Sequence, residues 1–208
     1  MTMNFRTIIK AGTILLGVAL IGISGCVAYS FYVRWQAEKC LETMRQLHLG
    51  SSTEEDAHNV LQPFSRFETD GTAMIHGRDY PLRTYLFRNK GLHLLGIFHP
   101  ALFQAGLTFR DGVLIERSAS FFQEPYHAVN TRESIAGLLQ NASLNESASG
   151  MIAGVYDPPA KMDVFLDTRA SDTVRKTAYE YNLACFTSLT GCSSVYEILP
   201  TVKQQAMK

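Results

Sequence analysis

The stretch GLTFRDGVLIERSASF, residues 106–121, predicts the fold class most directly. Leu107 and Phe109 alternate with polar neighbours, and a second alternating run begins at Val113. Alternation at a period of two residues is typical of strands that bury one face. Between the two runs lies Asp111-Gly112, a dipeptide that favours the two-residue turn of a β-hairpin. The stretch therefore predicts two antiparallel strands and, by extension, an antiparallel sheet.

Further strand patterns lie on both sides of this hairpin. Residues 64–68 and 73–75 flank Asp70-Gly71, which predicts a second hairpin with its turn at that dipeptide. Apolar and β-branched runs predict additional strands at 82–88, 126–129 and 162–166.

Two helices are predicted around these strands. Three acidic residues follow Thr53, a hydroxyl cap, and predict a helix that ends at Pro63. A long helix is predicted to begin at Asp167 or Ser171 and to end at Gly191. Its apolar face has helical spacing and comprises Val174, Ala178, Tyr181, Cys185 and Leu189. This order of elements predicts an α+β domain in which helices pack on one face of an antiparallel sheet.

The amino-terminal region contains a run without any charged side chain, residues 11–33. As a helix this run would be about 34 Å long, which suffices to cross a hydrocarbon core of about 30 Å. Aromatic residues gather at its far end, as at a membrane–water interface: Tyr29, Phe31, Tyr32 and Trp35. The run therefore predicts an uncleaved transmembrane signal anchor. The chain divides accordingly into a cytoplasmic tail (1–10), the transmembrane helix (11–33), a juxtamembrane helical stalk (34–49) and an extracytoplasmic α+β domain (50–208).

Two other interpretations of the amino-terminal run remain open. Ile23-Ser24-Gly25-Cys26 resembles a lipobox, so that cleavage before Cys26 would leave a lipidated cysteine as the anchor. The residues that follow stay apolar and aromatic, whereas a lipoprotein usually continues with a polar tether. A cleaved export signal that leaves a soluble protein is the third interpretation.

Charge and cysteine content restrict the compartment and the partners. Residues 40–208 carry 15 Lys or Arg and 18 Asp or Glu, which excludes a basic excess and disfavours nucleic acid as a partner. The short tail before an export-like apolar run favours a periplasmic domain on the bacterial inner membrane. Cys185 and Cys192 are the natural disulfide pair in such an oxidising compartment. The alternative is a buried Cys185 beside a free loop thiol at Cys192.

Three segments resemble a known group of proteins: residues 50–57, residues 110–113 with the Ser-rich strand that follows, and residues 184–200. Together they resemble uncharacterised membrane-anchored envelope proteins of acidobacteria. The resemblance implies a bacterial envelope protein and pairing of the two cysteines near the carboxyl end. It brings no known activity with it. Many members carry further cysteines in the early strands, and this chain has none there.

The sequence contains none of the motifs that identify common catalytic, cofactor or metal sites. Its six histidines are scattered, so no catalytic, cofactor-binding or metal residue is predicted. Arg83, Tyr85 and Arg88 interleave basic and aromatic side chains, as a surface for an anionic lipid head group or a polysaccharide would. They are the candidate partner-binding residues, together with a loop at 138–150, and the alternative for the strand is an ordinary solvated face. The sequence thus favours a non-catalytic binding domain for another envelope protein or a polysaccharide. The alternative function is a small envelope hydrolase whose site the sequence does not reveal.

Overall fold

The computed structural model describes residues 5–75, 77–89, 101–123, 127–135, 151–156, 161–188 and 191–201. The predicted loop at 138–150 lies outside the described residues. The helices are α1 (Phe5–Met44), α2 (Glu54–Leu61), α3 (Asp172–Ala178) and α4 (Val195–Ile198), with 3₁₀ helices at Gln62–Phe67 and Leu183–Phe186. The strands are β1 (Glu68–Ile75), β2 (Arg78–Arg88), β3 (Ala101–Arg110), β4 (Val113–Gln123), β5 (His127–Ser134), β6 (Met151–Tyr156) and β7 (Lys161–Leu166).

The strands form one seven-stranded sheet in the order β1-β2-β3-β4-β5-β7-β6. All neighbours are antiparallel except β5 and β7, which run parallel. The hairpin predicted at Asp111-Gly112 is confirmed, and both residues have positive φ angles, 54° and 75°. Two positive φ angles match the twist of the flanking strands, which explains the preference for Asp-Gly at this turn. The predicted fold class is therefore confirmed.

The second predicted hairpin turn is wrong. Asp70 and Gly71 lie inside β1, where they pair with Arg83 and Leu82 of β2. Strand β1 instead continues to Ile75, which pairs with Arg78 of β2, and Gly77 beside this pair has a positive φ of 73°. A dipeptide signal is local, whereas strand pairing depends on the whole register. Residues 64–67, predicted as strand, belong to the 3₁₀ helix that begins at Gln62 and has proline in its first turn.

Helix α1 has two parts with different surroundings. From Gly12 to Tyr29 its side chains are mostly exposed. From Ser30 onward one stripe is buried against the domain, comprising Val33, Ala37, Cys40, Leu41 and Met44. The spacing i, i+4, i+7, i+8 and i+11 places these residues on one helix face. The segment predicted as a stalk, 34–49, therefore contributes to the hydrophobic core.

The long helix predicted near the carboxyl end is wrong, because the structure divides it. Helix α3 ends at Ala178, and a 3₁₀ helix begins again after Asn182, whose side chain accepts a hydrogen bond from the Ala184 amide at 3.1 Å. Between them, Tyr179 and Tyr181 point into the domain and donate hydrogen bonds to carbonyls of β4. These buried hydroxyls need partners on the sheet, and a continuous helix would not direct both towards it.

Candidate binding groove on the open face of the sheet

The described helices pack on one face of the sheet, and the other face carries a cavity of about 360 Å³. Ala73 of β1 and Phe165 of β7 both line this cavity. In a flat sheet these strands, five positions apart, would be separated by about 24 Å. The sheet is therefore curled, and its open face is concave. We call this concavity the open-face groove.

The floor of the open-face groove consists of small residues. Gly106 of β3 lies opposite Ser118 of β4 in the strand register. A Cβ atom at Gly106 would lie 2.6 Å from Ser118 Oγ and 3.5 Å from Leu82 Cδ1, closer to the hydroxyl than real side chains approach. The glycine therefore maintains the depth of the groove, because any larger residue there would displace the hydroxyl beside it.

Several polar side chains of the groove are available to a ligand. Gln104, Thr108 and Ser120 line it, and within the described part of the chain their side chains make no hydrogen bond. By contrast, Asn130 Nδ2 donates to Asp163 Oδ1 at 2.7 Å on the β5–β7 side. An amide and two hydroxyls offer donors and acceptors together. The groove is thus equipped for a neutral ligand rich in hydrogen-bonding groups.

One carboxylate is deeply placed in this groove. Glu116 is only 6% exposed, and its Oε1 lies 3.4 Å from Nε of the solvent-exposed Arg132. Burial raises the pKa of the Glu116 carboxyl above its ordinary value, and the charge of Arg132 offsets this only in part. Arg132 therefore contributes positive charge at the rim of the groove, above a carboxyl that lies inside it.

The structure does not place the three predicted partner-binding residues on one accessible surface. Tyr85 is 1% exposed and belongs to the hydrophobic core beneath the helices. Arg83 lies on the same covered face, where it pairs with Glu54 at 2.8 Å and Glu68 at 3.3 Å. Arg88 is exposed at the end of β2, three residues beyond Tyr85. Arg83 thus joins α2 to the sheet, and Tyr85 is inaccessible to a partner from solvent.

The cysteines follow the predicted pairing. Cys185 and Cys192 form a disulfide, with their Cα atoms 5.2 Å apart. Cys192 is also held to β4, because its amide donates to Gln123 Oε1 at 2.9 Å. Cys40 is buried and unpaired in the core, and the unpaired Cys26, a candidate lipidation site in the sequence, is half-buried on α1.

Sequence reasoning missed the open-face groove, although one signal for it was present. Polar residues occupy alternate positions of β4, namely Glu116, Ser118 and Ser120. This pattern indicates a face that no apolar layer covers. It does not indicate that the face is concave, because curvature depends on all the strands at once.

Comparison with other proteins does not assign the site. No protein-family model, curated protein or solved structure matches this chain. Of the helices in the described ranges, one, at Gly12–Met44, is long and apolar enough to cross a membrane. Among those same residues, no group of three His, Cys, Asp or Glu side chains has an arrangement suited to a metal ion.

Proposed function

We propose that this chain is a single-pass protein of the bacterial inner membrane whose periplasmic domain binds a polysaccharide in the open-face groove. Two observations support the location. The exposed part of α1 is apolar and long enough to span a bilayer. A disulfide in the domain suits an oxidising compartment.

The observation that carries the binding function is the set of unpartnered polar side chains in a concave surface. Sugar hydroxyls both donate and accept hydrogen bonds, as do Gln104, Thr108 and Ser120 of the groove. Leu82 and Phe165 provide apolar surface beside them, against which the CH groups of a sugar ring would pack. A protein partner would be expected at a broader surface with an apolar centre.

The placement of the carboxylates in the groove favours binding over hydrolysis. Glu116 pairs in register with Ser134 of β5, whereas Asp163 of β7 pairs with Asn130 of β5. In a flat sheet, two strand spacings and four residues along the strand would separate the Cα atoms of the two residues by about 16 Å. Glycoside hydrolases place their paired carboxyl groups about 5 to 10 Å apart. Each carboxylate also has a partner already, Arg132 for Glu116 and Asn130 for Asp163, which supports a non-catalytic domain.

Binding of the full-length protein in detergent to soluble cell-wall glycan strands tests this function. The variant Gln104→Ala/Ser120→Ala removes two of the available groups and is expected to weaken binding about tenfold. The matched control is Gln62→Ala/Ser65→Ala, which makes the same chemical changes at exposed positions of the first 3₁₀ helix. Equal affinity of both variants, or binding of an envelope protein in place of any glycan, would contradict the proposal.

A further inference from the structure

A second cavity, of about 450 Å³, lies where α1 enters the domain. Tyr29 and Tyr32 of α1 line one side of it. Arg66 and Phe67 of the first 3₁₀ helix and Arg88 at the end of β2 line the other side. We call it the junction cavity. It is separate from the open-face groove, with which it shares no lining residue.

The junction cavity contains two arginines that have no counterion in the described part of the chain. The guanidinium carbon of Arg66 lies 4.7 Å from the ring centroids of both Tyr32 and Phe67, so two aromatic rings hold it in place. Neither Arg66 nor Arg88 forms an ion pair or a side-chain hydrogen bond with any residue in the described ranges. The nearby carboxylate of Glu68 is already paired with Arg83 at 3.3 Å. The cavity therefore has an excess of positive charge.

The position of the junction cavity along α1 corresponds to a membrane surface. Tyr29 is 47% exposed, and the next residue, Ser30, is fully buried against the domain. From Ala11 to Tyr29 an α-helix rises about 28 Å, close to the thickness of a hydrocarbon core. In the topology proposed above, on which this inference rests, Arg66 and Arg88 therefore lie at the level of lipid headgroups.

We propose that the junction cavity binds an anionic phospholipid of the surrounding bilayer, with its phosphate between Arg66 and Arg88. Guanidinium groups match the geometry of phosphate oxygens, and each can donate two hydrogen bonds. Tyr29 lines the cavity and belongs to the exposed apolar part of α1, so this part is continuous with the cavity and provides a path for the acyl chains. That continuity favours a lipid over free phosphate as the occupant.

The protein's single tryptophan provides the measurement. Trp35 is 52% exposed, and its ring centroid lies 6.3 Å from that of Tyr32 at the cavity. The full-length protein is reconstituted in phosphatidylcholine vesicles that contain a minor fraction of brominated phosphatidylglycerol or, separately, brominated phosphatidylcholine. Bromine quenches the fluorescence of nearby tryptophan, so the ratio of the two quenching efficiencies reports the preference for the anionic lipid.

We expect each arginine to raise the preference for the anionic lipid by a factor of roughly five, which is the contribution of one basic residue at an anionic membrane surface. Arg66→Gln/Arg88→Gln is expected to abolish it. The matched control, Arg78→Gln/Arg110→Gln, removes the same charge from exposed positions beside the two hairpin turns and is expected to retain it. Added inorganic phosphate is expected to leave the preference unchanged.

Three outcomes would overturn the inference: no preference in the natural protein, a full preference in Arg66→Gln/Arg88→Gln, or its loss on addition of inorganic phosphate. Flotation of the same vesicles tests the topology separately. A protein that floats with the vesicles but shows no preference contradicts only the lipid site. A protein that does not float contradicts the proposed membrane anchor itself.

Discussion

Arg117 of β4 and Glu133 of β5 form an ion pair beneath the carboxyl end of α1, with side chains only 6% and 2% exposed. Nη1 of Arg117 also donates to the carbonyl oxygens of Met44 and Leu47, at 3.2 and 3.1 Å. Met44 is the last residue of α1, so its carbonyl lies at the negative end of the helix dipole. The ion pair therefore fixes the end of α1 to the sheet.

Replacement of Glu133 with Gln is expected to lower the free energy of unfolding by about 3 to 5 kcal/mol, because it leaves the Arg117 charge buried without a counterion. Chemical unfolding of the full-length protein in detergent measures this. Asp172→Asn is the control, since Asp172 is fully exposed in its pair with Arg175 and is expected to contribute less than about 1 kcal/mol. Equal effects of the two changes would contradict a structural role for the buried pair.

Gly191 is expected to tolerate alanine less well than Gly77 does. Both have positive φ angles, 69° and 73°, so each substitution strains the backbone by about 1 to 2 kcal/mol. A Cβ atom at Gly191 would also overlap the amide of Gln123, which accepts the buried Cys192 hydrogen bond, whereas nothing lies within 4 Å at Gly77. Thermal unfolding of the two variants gives the comparison. Similar midpoints would show that the Gln123 contact is unimportant.

Glu116→Gln is expected to stabilise the protein at neutral pH. Because burial raises the pKa of Glu116 above 4.5, the folded state favours its neutral form, and ionisation at higher pH costs stability. Glutamine avoids this cost, so its advantage should disappear as the pH falls through the folded-state pKa of Glu116. Unfolding midpoints between neutral and acidic pH test this, with the exposed Asp79→Asn as a control for net charge. A constant advantage at all pH values would contradict the explanation.

Reduction of the Cys185–Cys192 disulfide is expected to cost about 2 kcal/mol, because the loop that it closes is short. The double variant Cys185→Ser/Cys192→Ser should show no further loss on reduction. Mass spectrometry of non-reduced peptides is expected to find this linkage, with Cys40 outside it. Alkylation of both cysteines without prior reduction would contradict the bond.

Cys26→Ala tests the nature of the anchor. For an uncleaved transmembrane helix the variant should keep the size of the natural protein and remain in the membrane fraction. The domain should become accessible to protease only when the outer membrane is opened. A change in processing, or release of the protein from the membrane, would instead establish lipidation at Cys26 as the anchor.

Local signals allowed the sequence to predict much of the fold. The helix start at Thr53 is confirmed: its Oγ1 accepts from the Asp56 amide at 3.1 Å, and Asp56 Oδ2 accepts from the Thr53 amide at 2.8 Å. All atoms of such a cap lie within four residues. The dipeptide Asp70-Gly71 gave a wrong turn prediction, because its pairing with β2 and not its own preference for turns places it within a strand. Similarly, α3 ends just before Tyr179 because the hydroxyl of this residue donates a hydrogen bond to a distant partner on β4.

Sequence patterns could not predict how the residues of the candidate sites come together, for a related physical reason. Gln104 and Ser120 meet only because β3 and β4 pair, and Phe165 joins them only because the sheet curls. The junction cavity likewise combines Tyr32 of α1 with Arg66 and Arg88 from later segments. The sequence indicates Arg88 as a candidate because aromatic residues precede it, but it contains no signal that connects Arg88 with Arg66.

Because α1 continues from its exposed part into the core without a break, the domain has no tether. A flexible linker would allow it to search a volume that grows with linker length. Here the helix between Tyr29 and Met44 sets a fixed height of about 22 Å. In the proposed topology the domain therefore samples only a thin layer above the lipid, and a polysaccharide must come to the membrane in order to be bound.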